Sequence, residues 1–292
     1  MSPLTRRSLI TTLGLGAGAT AAGLLAPTTA FASTPSRSFS TLVFDEQFTE
    51  GTDFNAARWR EKEPKGDTYM SYDWGVITHD THSVSGGAGH LCWRKRSTPK
   101  TGWQNKYDEG RTVRHVNEAC LTTEGIFSFV YGAVEVRARF PQSHLGLWAG
   151  VWLRPDRGAT GGEIDIVETY GGGNAKGVAE STVHFNQTGG FKSGMEVKNK
   201  PDLTKWHTYR MEKTPEGITF FFDNQRFHEV LRTPNNKQAY NQQTFDQCFG
   251  ANTPYHLLLI TQTGSHYWGQ LDTRNFKEAQ FDIDYLQVYS MD

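Results

Sequence analysis

Three carboxylates fall within one short run, Glu163-Ile164-Asp165-Ile166-Val167-Glu168, followed by Thr169-Tyr170 and bracketed by Gly162 and Gly171. Ile, Val and Thr at this density favour a strand. Alternation along a strand puts Glu163 and Asp165 on one face and turns Ile164 and Ile166 the other way. Glu168 is out of step by one residue. A one-residue β-bulge near Ile166 and Val167 would return it to the face of the other two acids, and bulges are frequent beside active sites. Grouped carboxylates suit general acid–base chemistry: one protonated to supply a leaving oxygen, the other ionised as a nucleophile or to activate water, as in cleavage of a glycosidic bond. A third acid helps to separate their proton affinities. Two other readings stand beside this one, the charged solvent face of an exposed strand and an oxygen-rich calcium site. The nearby tryptophans favour a sugar groove over an ion cage.

The elements that must position these acids read as strands. Gly146-Leu147-Trp148-Ala149-Gly150-Val151-Trp152-Leu153-Arg154 places Trp148, Gly150 and Trp152 on one face and Leu147, Ala149, Val151 and Leu153 on the other. The glycine between the indoles leaves room for a ligand. Two core tryptophans is the alternative. Period-two or β-rich runs recur at residues 41–44, 91–94, 126–130, 133–140, 218–222 and 281–289, separated by turn signals such as Gly86-Gly87, Pro215-Glu216-Gly217 and Asp223-Asn224. No segment carries a sustained helical stripe, and residues 233–252, rich in Asn and Gln, read as a long loop. The expectation is an all-β, all-antiparallel protein of two packed sheets.

Thr5-Arg6-Arg7-Ser8-Leu9-Ile10, an apolar Gly/Ala-rich run and Ala30-Phe31-Ala32 read as a signal peptide over residues 1–32, resembling the twin-arginine type. A membrane anchor is disfavoured, since Gly14, Gly16, Gly18 and Gly23 interrupt a run already short of the roughly 20 apolar residues of a span. A linker over 33–40 and one catalytic domain over 41–292 follow, in a secreted protein expected to act as a monomer. Removing Arg6 and Arg7 takes the formal charge from −1 to −3, which excludes a footprint for nucleic acid or an anionic membrane. Aromatics make up 13% of the chain, with eight Trp, and their flat faces suit sugar rings. The three cysteines, Cys92, Cys120 and Cys248, match no zinc pattern. A Cys92–Cys120 bridge and three buried thiols are both open to the sequence.

The acid run resembles the signature of glycoside hydrolase family sixteen in its bulged, laminarinase-like form. Phe44-Asp45-Glu46-Gln47-Phe48, Phe129-Val130-Tyr131-Gly132 with Glu135-Val136-Arg137-Ala138, the Trp148–Trp152 segment, Trp206-His207-Thr208-Tyr209 and Ile283-Asp284-Tyr285-Leu286-Gln287-Val288-Tyr289 are similar to other landmarks of that family, in order. The resemblance implies a β-jelly-roll sandwich with a substrate cleft across its concave sheet, and retaining endo-hydrolysis of a polysaccharide, most readily β-1,3-glucan or mixed-linkage β-glucan. It implies Glu163 as nucleophile, Glu168 as acid/base and Asp165 between them. Those roles come from the likeness, since strand geometry alone leaves the two Glu Cα atoms on the order of 13 Å apart. It further implies Trp148, Trp152 and His184 as substrate contacts, His184 being equally readable as a structural histidine, with Trp74 and Trp268 flanking the groove. No cofactor is required for catalysis. A structural calcium is implied at Asp284, Glu46 and Gly89.

Two stretches depart from the family pattern. Trp148-Ala149-Gly150 lacks a proline, and Leu258-Leu259-Ile260-Thr261-Gln262-Thr263-Gly264 replaces an Asn- and Gly-rich stretch. The acids are intact, so the departures bear on which polysaccharide is cleaved. A galactan-type hydrolase and a non-catalytic carbohydrate-binding jelly roll are the alternatives.

Overall fold

Alternating burial organises the chain into strands. In chain order they are β1 (Thr41–Glu46), β2 (Arg60–Glu61), β3 (Gly75–Ile77), β4 (His82–Ser85), β5 (Ala88–Thr101) and β6 (Val113–Glu118). Then come β7 (Cys120–Thr122), β8 (Gly132–Arg139), β9 (Leu147–Pro155), β10 (Glu163–Tyr170), β11 (Ala179–His184) and β12 (Lys192–Glu196). The last are β13 (His207–Thr214), β14 (Gly217–Phe222), β15 (Gln225–Leu231), helix α1 (Gln242–Phe249), β16 (Tyr255–Thr263) and β17 (Glu278–Ser290). This computed structural model describes residues 38–62, 74–101, 113–142, 144–156, 161–171, 177–185, 191–234, 240–264 and 269–292. The segment read as a signal peptide and Trp268 lie outside them.

The strands form a jelly-roll sandwich. One sheet runs β15-β14-β13-β8-β17-β5-β6-β3, with β1 on β17 and β4 on β5; the other runs β12-β11-β10-β9-β16-β7-β2. Val134, Val136 and Ala138 of β8 and Ile283 and Val288 of β17 meet Ala149, Val151 and Leu153 of β9, Ile164 and Val167 of β10, and Leu257 and Leu259 of β16 in one apolar core. Phe140 and Phe281 stack there with centroids 4.5 Å apart. On β13, buried and half-buried residues alternate, as expected of a sheet with one wet face. Strands β9 and β16 are buried on both faces. Their outward residues Trp148, Trp152, Leu258 and Ile260 form a second cluster with Cys120 and Tyr170, away from the core.

Several expectations need correction. Residues 126–130 form no strand; Phe129 makes only an isolated bridge to Tyr255. Strands β3 and β6 pair in parallel, so the sheets are not wholly antiparallel. The Asn/Gln-rich stretch contains α1, capped by the Asn241 side chain, which accepts from the Thr244 amide at 2.9 Å, and burying Phe245, Cys248 and Phe249 on one face. Ser38 and Ser40, read as linker, belong to the domain: both hydroxyls donate to the Asp292 carboxylate. The Cys92–Cys120 bridge is absent. Cys92 lies in β5 and Cys120 in β7, on different sheets, and all three cysteines are buried and outside any disulfide.

The side chains at the positions implied for calcium have partners within the protein. Glu46 accepts from the Phe48 amide and from Trp59 Nε1, both at 3.1 Å, with the Arg58 guanidinium 3.6 Å away. Asp284 pairs with Arg137, and Gly89 packs its Cα against the Phe48 and Phe54 rings. N–H donors and a guanidinium thus meet the Glu46 carboxylate, and a guanidinium meets one oxygen of Asp284.

One buried charge in the core has a measurable consequence. Lys213 is fully buried, donates to the Val130 carbonyl at 2.6 Å and lies 4.4 Å from the Tyr131 ring centroid. Burial pulls its ammonium from 10.5 down to about 7. The unfolded chain therefore binds the extra proton between these values, and stability rises with pH across that window. Denaturant unfolding of wild type should show this slope, and Lys213→Met should remove it.

Candidate active site

The bulge is present and sits at Ile166. Against β9, Asp165 pairs with Trp152 and Val167 with Val151, so Ile166 is the extra residue. Ile166 and Val167 both point into the core, and Glu168 returns to the outward face opposite Gly150. Glycines at each end let the strand pack tightly. A Cβ on Gly162 would meet the His184 carbonyl at 2.3 Å, and one on Gly171 the His144 carbonyl at 1.4 Å. Gly162 also donates its amide to Tyr255 Oη at 3.1 Å.

Register then assembles one face. Strand β11 supplies His184, Thr182 and Glu180 opposite Glu163, Asp165 and Glu168. On the other side, Trp152 and Gly150 of β9 oppose Asp165 and Glu168, and Trp148 opposes Tyr170. His184 Nε2 lies 3.1 Å from Asp165 and 3.7 Å from Glu163. Arg154 forms an ion pair with Glu163 and lies 5.4 Å from the Trp152 ring centroid. Glu168 is 5% exposed and accepts from Trp148 Nε1 at 3.0 Å and from Tyr170 Oη at 2.7 Å.

The electrostatics divide the three acids. Burial, reinforced by the neighbouring Asp165 carboxyl, raises Glu168 well above the usual carboxylate range. Burial and then the Glu163 charge raise Asp165 likewise, with Arg154 opposing. Glu168 and Asp165 are thus proton holders, while Glu163 faces a guanidinium. A buried proton carrier beside an ion-paired carboxylate is the equipment of a glycosidase.

The Tyr170 hydroxyl is the main local influence that lowers Glu168. Tyr170→Phe should therefore raise Glu168 further and move the basic limb of the kcat/KM profile to higher pH. A pH–rate series on both forms checks this.

Four of the expected site residues, Glu163, Asp165, Glu168 and His184, share one locus. Trp148 and Trp152 share the face, but both are buried, 4% and 1% exposed, and do not stand as open groove walls. Tyr170 and Arg154 pack against them, and Trp148 serves the site by holding Glu168. Trp74 lies at the end of β16, past the Gln262 that pairs with Trp148: its amide donates to the Thr263 carbonyl at 2.8 Å and its ring covers Gly264. Arg154, Tyr170 and Glu180 are additional. Extending the Trp148-Gly150-Trp152 alternation by two residues reaches Arg154, and extending the corrected register from Glu168 reaches Tyr170.

The fold and this constellation define a polysaccharide-hydrolase type of jelly roll, and sequence likeness is specific about which. Residues 94–252 match the Glycosyl hydrolases family 16. A Beta-glucanase of Rhodothermus marinus is 33% identical over 220 residues, 70% of this chain and 68% of that protein. A Keratan-sulfate endo-1,4-beta-galactosidase of Sphingobacterium multivorum is 25% identical over 77% of this chain and 57% of its own length. The structure of the laminarinase from Rhodothermus marinus superposes with a TM-score of 0.67 at 28% identity, covering 86% of this chain and 98% of that one. The chain belongs to glycosyl hydrolase family 16.

Proposed function

We propose that the protein is a secreted retaining endo-β-glycanase that hydrolyses internal linkages of a β-1,3-glucan or mixed-linkage β-glucan. The observation that carries this is the Ile166 bulge. It turns Glu168, buried and with its proton affinity raised, onto the face of Glu163, which is paired with Arg154. Glu163 attacks the anomeric carbon and Glu168 gives its proton to the leaving oxygen. Glu168 then takes a proton from the water that releases the glycosyl-enzyme. Asp165 lies between them and, by holding a proton, can donate a hydrogen bond to Glu163. His184 spans the Glu163–Asp165 pair and orients both.

The β-glucanase and laminarinase relatives support the substrate class. The keratan-sulfate galactosidase relative supports a second reading, a galactan-type hydrolase on the same scaffold. Incubation with laminarin, lichenan, agarose and keratan sulfate, scored by new reducing ends, separates the two. Products from the glucans alone support the main reading, products from galactans alone the second, and binding without turnover on any of them would sink both. The paired arginines Arg6 and Arg7, the apolar run after them and Ala30-Phe31-Ala32 support export. Mass spectrometry of the N-terminus in culture medium, expected near Ala32, tests it.

A further inference from the structure

Four side chains outside the catalytic face converge at one end of the sandwich. Asp53 follows β1, Glu61 is in β2, His79 opens a short 3-10 turn (His79–Thr81), and His82 begins β4. They close a ring. His82 Nδ1 lies 2.7 Å from Asp53 Oδ1, and His82 Nε2 lies 2.8 Å from Glu61 Oε1. His79 Nδ1 lies 2.8 Å from the same Glu61 oxygen, and His79 Nε2 lies 3.6 Å from Asp53 Oδ2. The imidazoles stand edge to face with centroids 5.0 Å apart.

Glu61 accepts from one nitrogen of each ring, which aims the opposite nitrogens, His79 Nε2 and His82 Nδ1, towards Asp53. Metal-binding histidines are held in this way, by an outer carboxylate on the nitrogen that does not ligate. We propose that Asp53, His79 and His82 bind a zinc ion, with Glu61 as the positioning residue for both rings and water in the fourth place.

Distances, charge and donor type agree with this. One ligand atom from each of Asp53, His79 and His82 lies within 4.8 Å of the others. A tetrahedral zinc with bonds of about 2.0–2.1 Å spaces its ligands about 3.3 Å apart, between the 2.7 Å and 3.6 Å seen here. Two carboxylates facing two imidazoles need two positive charges for balance. Two imidazolium protons supply them, and so does one Zn²⁺ that displaces those protons and leaves both rings as neutral donors. Imidazole nitrogen favours zinc over calcium, which takes oxygen. The site also joins parts of both sheets, because β4 belongs to the ten-stranded sheet and β2 to the seven-stranded one. The bound ion therefore braces the sandwich and takes no part in hydrolysis.

His79 is the informative position, being 76% exposed, whereas the His82 side chain is 4% exposed and supports the fold. Chelator-treated protein should bind about one equivalent of Zn²⁺ by calorimetry, with a melting temperature raised by about 5 °C at saturating metal. Co²⁺ should bind competitively and give the intense visible bands of a tetrahedral site. His79→Ala should abolish binding, the cobalt bands and the thermal shift while laminarin hydrolysis is retained, and Glu61→Gln should weaken binding about 10- to 100-fold. Absence of a zinc-dependent shift in the native protein overturns the proposal. So does binding that survives His79→Ala, and binding lost instead in His184→Ala would reassign the metal to the catalytic acids.

Discussion

Glu163→Ser should lower turnover of β-glucan on the order of 10⁴–10⁶-fold, the scale reached when a covalent nucleophile is removed. Folding should survive, because the Arg154 left without its carboxylate is 23% exposed and can be hydrated. Circular dichroism and the melting temperature check that. The decisive measurement is rescue. With an activated aryl β-glycoside, azide can occupy the space vacated by the Glu163 carboxylate and displace the leaving group from that side. The product is then the α-glycosyl azide, of inverted configuration. A β-glycosyl azide would mean that the intermediate still forms and that Glu163 is not the nucleophile.

Glu168→Gln should cost about 10²- to 10⁴-fold on polysaccharide, the usual contribution of a positioned general acid. The amide keeps the size of the carboxyl: its oxygen can accept from Trp148 Nε1 and its NH2 can donate to the Tyr170 hydroxyl, so the loss reports the proton and not the packing. Two signatures follow. The basic limb of the kcat/KM profile, expected above the ordinary carboxylate range because burial raises Glu168, should disappear. Aryl glycosides with good leaving groups should be spared in the first step, since their departure needs no proton. Equal losses on both substrate types would assign the acid elsewhere.

The core of this site was legible because its signal is local. Ile166 and Val167 are consecutive apolar residues in an otherwise alternating strand, and a chain that must bury both has to bulge between Asp165 and Glu168. Gly162 and Gly171 mark where backbones press together. Other features depend on tertiary packing that no single segment encodes. Trp148 and Trp152 have the spacing of a groove wall, yet Tyr170, Arg154 and Leu258 close around them, and alternation fixes a face without saying whether it is open. The helix at Gln242–Phe249 was hidden by its polar composition. Its cue was Asn241 as cap with Phe245, Cys248 and Phe249 at helical spacing. Cys92 and Cys120 lie in opposite sheets, since the chain crosses from the ten-stranded sheet to the seven-stranded one between β6 and β7. The calcium positions were read from family likeness. Here Arg58 and Arg137 meet the carboxylates that an ion would need.

The three buried thiols carry a consequence for biogenesis. Burial raises Cys92 and Cys248 to about 11, so neither is a ready thiolate, and none of the three is part of a bridge. Maturation of this enzyme therefore needs no oxidant and no disulfide isomerase. The sandwich can be completed in a reducing compartment.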